Sequence, residues 1–541
     1  MKAFNKILVL FGIVAIFIGG CTKNFDQINE DPNYPTEVTT CALFTAAQKS
    51  LMDDMMDEWW AGRQSQLYAQ YWTQRNYTSE DRYSMRQNNN NTYFRLLYTD
   101  IMDLVEIIRL NEDTLTRIKY SIYGDNDNQV ACAKILKAWA MQVMTDTYGD
   151  IPYSEAFQGN AKVEILNPKY DKQEDIYAAL LTDLKAAVDM INVDASGFSS
   201  GDIIYGGDMS KWKKFGNSLR LRVALRMSGI DKSKLDDIIA ENAGDPEAYF
   251  TSNADNAIFS YIGSNPNVAP VYNALWNEAR NDFTMAKPLI ELLKGDNDTL
   301  NGKINPFHGL VDPRLQIYSR PKSGVYRGMP YGMTDAQSQS YKGKCPSFYY
   351  DPNGNAAYNT VTATVVHNPR WSPVYMDYAE VEFILSEVNN FEQTHYINGV
   401  RASIEYWRDM AADFESWSTT KINDFNVQLE QYIAALPPAN MENVMTQKYI
   451  AFYMQGYQAW SEYRRLGYPT MLVKPGEVTN ILADGTLVYF NSLEDTHGDI
   501  PRRVTYPQQE YTVNNTNTTA AAEHIQGDYL YTHVWWDNKT K

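Results

Sequence analysis

Carboxylate pairs such as Asp53-Asp54 and Asp57-Glu58 are of a type that could do chemistry. Two carboxyl groups about 5–9.5 Å apart are all that glycoside hydrolysis requires. Both pairs fall inside a run with helical spacing, where they read as a solvated helix face. Asp125-Asn126-Asp127-Asn128 and Asp296-Asn297-Asp298 echo calcium loops but lack the glycine and glutamate that such loops place further on. They read as Asx-rich turns. No HExxH, GxSxG, Walker or GxGxxG pattern occurs. The 6 histidines and 4 cysteines are scattered and form no CxxC, so neither a metal nor a cofactor is expected. Cys132, within VACAKILKAWAMQVM, reads as a small core residue. A Cys41–Cys345 bridge is left open, with nothing local to support it.

Arginine and aromatic side chains are the more informative groups. In KWKKFGNSLRLRVALRMS (211–228), Arg222 and Arg226 stand one helical turn apart beside an apolar stripe of Leu221 and Leu225, and are expected to form salt bridges with acidic neighbours inside the protein. Trp72-Thr73-Gln74-Arg75-Asn76-Tyr77 alternates aromatic and polar residues at a helix exit. Trp276 to Phe283 mixes the same residue types, and Tyr326 and Tyr331 sit in a Gly-rich loop, Gly324 to Gly332.

These groups must be positioned by a large body. The chain has 541 residues, 44% hydrophobic and 13% aromatic, with 39 tyrosines, which excludes a disordered protein. Lys+Arg is 48 against Asp+Glu 66, a formal charge of −18; this argues against nucleic acid and anionic lipid as partners. Residues 1–20 read as a signal peptide, with Lys2 and Lys6 ahead of an apolar run, Ile7 to Ile18, too short for a membrane span. Ile18-Gly19-Gly20-Cys21 resembles a bacterial lipobox with Cys21 as the lipidated residue, and 21–40 reads as a polar tether. Helical periods are expected over 42–74, 86–111, 129–148, 172–192, 210–229, 374–390, 396–413, 425–435 and 440–464. The body, 41–541, thus divides into a helical scaffold, about 41–240 and 374–470, and a loop-rich region, about 241–373 and 471–541. Strands are expected at 361–366 and at Thr486–Tyr489.

KWKKFGNSLRLRVALRMS resembles a signature of the SusD/RagB family of outer-membrane nutrient-binding lipoproteins, especially its SusD-like branch. Asn29-Glu30-Asp31-Pro32-Asn33, Tyr148-Gly149-Asp150-Ile151-Pro152-Tyr153, Asp312-Pro313-Arg314 and the Ala-Glu-rich helix at Tyr378–Glu387 are similar to further elements of that family. So are Gly399-Val400-Arg401-Ala402-Ser403, Trp460 to Pro469 and Ile500 to Pro507, in the same order. The resemblance implies a mostly α fold: a right-handed stack of four tetratricopeptide-like helix pairs carrying an inserted loop-rich ligand-binding region. It implies no enzymatic activity, a lipid anchor in the outer membrane of a Gram-negative bacterium, facing the exterior, and a SusC-like TonB-dependent transporter as partner. The ligand is expected to be an oligosaccharide. Oligopeptide is the alternative on the same fold, and a lipid-anchored glycan hydrolase is the third reading. By family position the ligand ledge falls to Asp31, Asn33, Trp72, Arg75, Tyr77, Trp276, Arg280, Tyr326 and Tyr331.

Overall fold

A computed structural model describes residues 38–159, 164–280, 282–341, 344 and 368–537. The lipobox with Cys21, Asp31 and Asn33 of the opening element, Cys345 and the 361–366 strand lie outside the described residues.

Helix α1, Thr40–Met56, starts where the Thr39 hydroxyl accepts from Ala42 N–H at 3.2 Å. It buries Phe44, Ala47, Leu51, Met52 and Met55, the i, i+3, i+4 stripe of a one-sided helix. It then packs on α2, Gln87–Glu112. Helix α3, Asn126–Tyr148, is capped by Asp125, so the first acidic-Asn cluster is a helix start. This helix is buried nearly all round, Cys132 included, because α2 and α4, Gln173–Met190, cover it from two sides. Gly149 ends it at φ +86°, a conformation that an L side chain resists. Helix α5, Met209–Met227, packs on α4 and on α6, Ser233–Asn242. After the loop-rich stretch, which contains α7 (Lys287–Lys294), the scaffold resumes with α8, Tyr378–Val388, capped by Asp377. Helices α9 (Gln393–Glu415), α10 (Thr419–Ala435), α11 (Met441–Ala451) and α12 (Gly456–Leu466) follow, with α8 packed on α5, α9 and α11. The chain closes with α13, Asn515–His524.

Strands are short and antiparallel among the described residues. They pair as β1 (Trp72–Gln74) with β5 (Phe283–Met285), β2 (Ile151–Pro152) with β3 (Tyr170–Asp171), β4 (Ala257–Ile258) with β6 (Val374–Met376), and β7 (Val478–Ile481) with β8 (Leu487–Tyr489). The strand expected at Thr486–Tyr489 is β8.

Four expected helices differ, one of them, 425–435, only by starting six residues early at Thr419, where Ser418 caps it. The 42–74 helix stops at Met56, because Asp57 takes an extended backbone (φ −61°, ψ 135°) and caps a new turn; the chain ends that stretch as β1. The 374–390 helix starts four residues late, because 374–376 pair as β6. The 440–464 helix breaks between Ala451 and Gly456, where Met454 adopts φ +72°.

Arg222 and Arg226 form the internal ion pairs expected of them. Arg222 grips Glu380 through Nε–Oε1 at 2.7 Å and Nη2–Oε2 at 2.5 Å, with both side chains buried. Arg226 reaches Asp146 and Glu462, each at 3.2 Å. Many of the tyrosines serve the core rather than the surface. The hydroxyls of Tyr71, Tyr98, Tyr331, Tyr375 and Tyr449 each donate to a main-chain carbonyl of another segment at 2.5–2.8 Å. A buried Tyr thus supplies apolar area and satisfies an irregular loop's carbonyl at once.

Candidate functional site

The break after α1 creates the first half of the site. Asp57 Oδ1 accepts from Trp59 N–H at 2.5 Å and Trp60 N–H at 3.3 Å. Glu58–Gly62 then forms one wide π-helical turn, closed by Gly62 N–H to Asp57 C=O at 3.1 Å. The turn separates two adjacent tryptophans. Trp60 goes inward and stacks on Tyr93 at 4.0 Å, whereas Trp59 stays 36% exposed. π-Turns of this kind cluster at functional sites because they redirect side chains that an α-helix would bury.

The second half is built the same way. Asn273–Asn277 forms another π turn. It presents half-buried Trp276, stacked on Tyr272 with ring centroids 5.7 Å apart and planes within 16°. Ala279 at φ +53° turns the chain back, so Arg280 N–H donates to Ala274 C=O at 3.1 Å. The Arg280 guanidinium lies 4.2 Å from the Trp59 ring centroid, which joins the two halves. Along the rim, exposed Asn277 donates to Asn273 at 2.8 Å and Asn265 at 3.2 Å, and Asn273 donates to Glu278 at 3.0 Å.

An alternating chain of charges holds this ledge from below. Arg280 meets Glu58 (3.1 Å) and Asp282 (2.7 Å); Arg63 meets Asp282 (2.6 Å) and Glu80 (3.4 Å); Arg86 meets Glu80 in turn. Glu58 is 3% exposed, so the expectation of a solvated Asp57-Glu58 face is wrong: the turn rotates Glu58 under the ledge. Burial pushes its carboxyl up to about 7, against the pull of Arg280 and Arg63. Burial likewise raises Asp57. At Glu80, burial is outweighed by the Gln74 amide and by Arg63 and Arg86, which leaves its carboxyl below the usual range. Asp54 also departs from a solvated face; burial raises it to about 6.

Of the residues expected on the ledge, Trp276 and Arg280 are brought together here. Tyr77 is 63% exposed, two residues beyond Arg75, whose N–H donates to Asp282 C=O at 2.5 Å. The Arg75 side chain itself is buried. Trp72 is 1% exposed; it lies in β1 against Phe283, and its indole N–H donates to the Tyr453 hydroxyl at 3.3 Å. Tyr331 is fully buried, its hydroxyl on the Leu67 carbonyl and its ring edge-on to Phe490. Neither ring offers a face to a ligand in this structure, because β1–β5 pairing and the loop packing turn both inward. Half-buried Tyr326 lines a separate cavity of about 510 Å³ beside Asp312, Gln428 and Tyr432. Trp59, Arg63, Tyr272 and Asn277 were not anticipated; the doublet Trp59-Trp60 directly after Asp57-Glu58 was the available signal.

Two aromatic surfaces, a guanidinium and a row of side-chain amides can stack on sugar-like rings and bond their hydroxyls. A family model described as SusD-like, starch-binding associating with outer membrane, matches residues 32–507. A solved chitin-binding protein aligns with a TM-score of 0.70 at 23% identity, covering 92% of this chain and 100% of its own. A SusD homolog from Parabacteroides distasonis aligns at 0.70 and 21%, covering 93% and 98%. A chitin-binding SusD homolog from Flavobacterium johnsoniae aligns at 0.66 and 21%, covering 91% and 98%. No curated protein matches the chain.

Proposed function

Because the chain belongs to the SusD-like family of outer-membrane-associated binding proteins, we propose that it captures an oligosaccharide on the Trp59–Trp276 ledge and delivers it to a SusC-like TonB-dependent transporter. The observation that carries this reading is the meeting of two π turns, more than two hundred residues apart in sequence, around one exposed indole. Burying Trp59 would have been the cheaper packing solution; instead the fold props it outward on buried ion pairs. A sugar ring laid on Trp276, or on the part of the Trp59 indole that Arg280 and Arg63 leave open, gains stacking, while Asn277, Glu278 and Arg280 face its hydroxyls. Glu58, despite its raised carboxyl, is a support rather than a general acid, since both its oxygens are out of solvent's reach.

The lipid anchor at Cys21 rests on the basic n-region, the apolar run and Ile18-Gly19-Gly20 before the cysteine. No helix among the described residues is long and apolar enough to cross a membrane, so the lipid is assigned the task of holding the body at the surface. The test is a thermal-shift screen of neutral oligosaccharides against peptide digests, since a bound ligand raises the melting temperature. Shifts with oligosaccharides alone support the reading. Shifts with peptides alone replace the glycan with an oligopeptide on the same ledge.

A further inference from the structure

The ledge does not account for a cavity of about 610 Å³ on the C-terminal part of the chain, whose lining includes Thr496, His497, His524, Tyr531, His533 and Trp535. Half of the chain's 6 histidines meet here, and none of the ledge residues takes part. A cavity of this size falls within the range of small-ligand sites. We propose that it is a second binding site, for a neutral saccharide unit. The proposal shares the ligand chemistry assigned to the ledge and otherwise stands apart from it.

Two features argue for a built site. First, the imidazoles are oriented from behind: His524 Nδ1 sits 2.6 Å from Asp150 Oδ2, and His533 Nδ1 sits 3.0 Å from Asp537 Oδ2. Pairing at Nδ1 fixes each ring and leaves Nε2 for an outside partner. Second, His497 stacks on Tyr531 at 3.7 Å, and Tyr531 on Tyr529 at 4.9 Å, both within 11° of parallel. This ladder stiffens the wall and leaves the outer face of His497 free of a ring partner among the described residues.

The charge pattern selects the ligand class. Asp150 Oδ2 is engaged by His524 Nδ1, Asp499 pairs with Arg502 at 2.5 Å, and Asp537 pairs with Arg502 and is engaged by His533 Nδ1. Each carboxylate at the cavity thus already has a hydrogen-bond or ion-pair partner, and so does the Arg502 guanidinium. What remains is neutral hydrogen bonding beside the half-buried indole of Trp535 and the imidazole face of His497, which is the chemistry of a sugar ring.

The test is residue-resolved oxidative footprinting of the full chain with maltohexaose, chitohexaose, xylohexaose and mannohexaose as probes. At least one probe is expected to protect His497, Tyr531 and Trp535 with a saturation curve that Trp59→Ala and Trp276→Ala leave unchanged. His497→Ala, a substitution that removes little packing, is expected to raise the half-saturation concentration about three- to tenfold. Protection of Trp59 and Trp276 with none at 497–535 overturns this site and leaves the ledge reading intact. Protection at 497–535 that vanishes with the ledge variants overturns its independence. No protection at either place by any probe overturns both.

Discussion

The scaffold and the ledge are built from the same pairing, arginine with carboxylate, and put it to different ends. In the scaffold, Arg222–Glu380 and Arg226–Asp146 are buried on both sides and tie α5 to α8 and α3. In the ledge, Arg63, Asp282 and Glu58 are buried, and Arg280, paired with both carboxylates, lays its guanidinium on the half-open ring of Trp59. The first arrangement holds helices together; the second spends buried charge to keep an aromatic surface in water. Losing a scaffold partner should therefore cost folding, whereas losing an outer ledge group should cost binding.

The sharpest way to break this contrast is Arg222→Ala. It strands Glu380 in the core, and removing one member of a buried pair typically costs about 3–5 kcal/mol. Chemical denaturation should show that loss; a midpoint equal to wild type would refute the bracing role. Asp282→Ala should fall between the regions. It deprives buried Arg63 of its closest partner and leaves Arg280 with Glu58 as its remaining carboxylate, for a loss of about 2 kcal/mol together with weakened oligosaccharide binding. Stability and titration measured on the same sample separate the two effects. Trp59→Ala should cost about 1–3 kcal/mol of binding, by analogy with base–aromatic stacking, and leave the melting temperature within about 1 °C.

The smallest expected effect is a pH dependence. Glu58 carries a carboxyl raised from 4.5 to about 7, so between those values the folded state holds a proton that the unfolded chain has released. Stability from this group is therefore lost as pH rises through that window. Glu58→Gln has no proton to lose. Its melting temperature should match wild type near pH 5 and exceed it by about 2–3 °C at pH 8. A constant difference across the range would show that Glu58 is not the group responsible.

The scaffold was largely legible because its helices carry one-sided periods. The α2 and α4 ranges sit within two residues of the expected 86–111 and 172–192, and the Arg222/Arg226 spacing announced its internal partners. The ledge was not, for a local reason and a distant one. Leu67 and Tyr71 continue the helical spacing of α1 past Asp57, so the break that exposes Trp59 hides inside an apparently unbroken period. Trp72 and Trp276 occupy similar aromatic-polar surroundings in sequence, yet one is core and one is rim, because only Trp72 lies in the β1–β5 pairing with residues two hundred positions away. Tyr331, expected on the ledge, is instead one of several rings whose hydroxyls satisfy buried carbonyls.

The central claim, that the two π turns form the oligosaccharide site, is tested most directly by titrating one responding oligosaccharide into wild type, Trp59→Ala, Trp276→Ala and Trp72→Ala while following melting temperature on each. The account predicts about tenfold weaker binding for Trp59→Ala and Trp276→Ala with wild-type melting, and a large drop in melting temperature for Trp72→Ala, whose buried ring should cost about 3–5 kcal/mol. Unchanged affinity in both ledge variants, with the proteins folded, would contradict it.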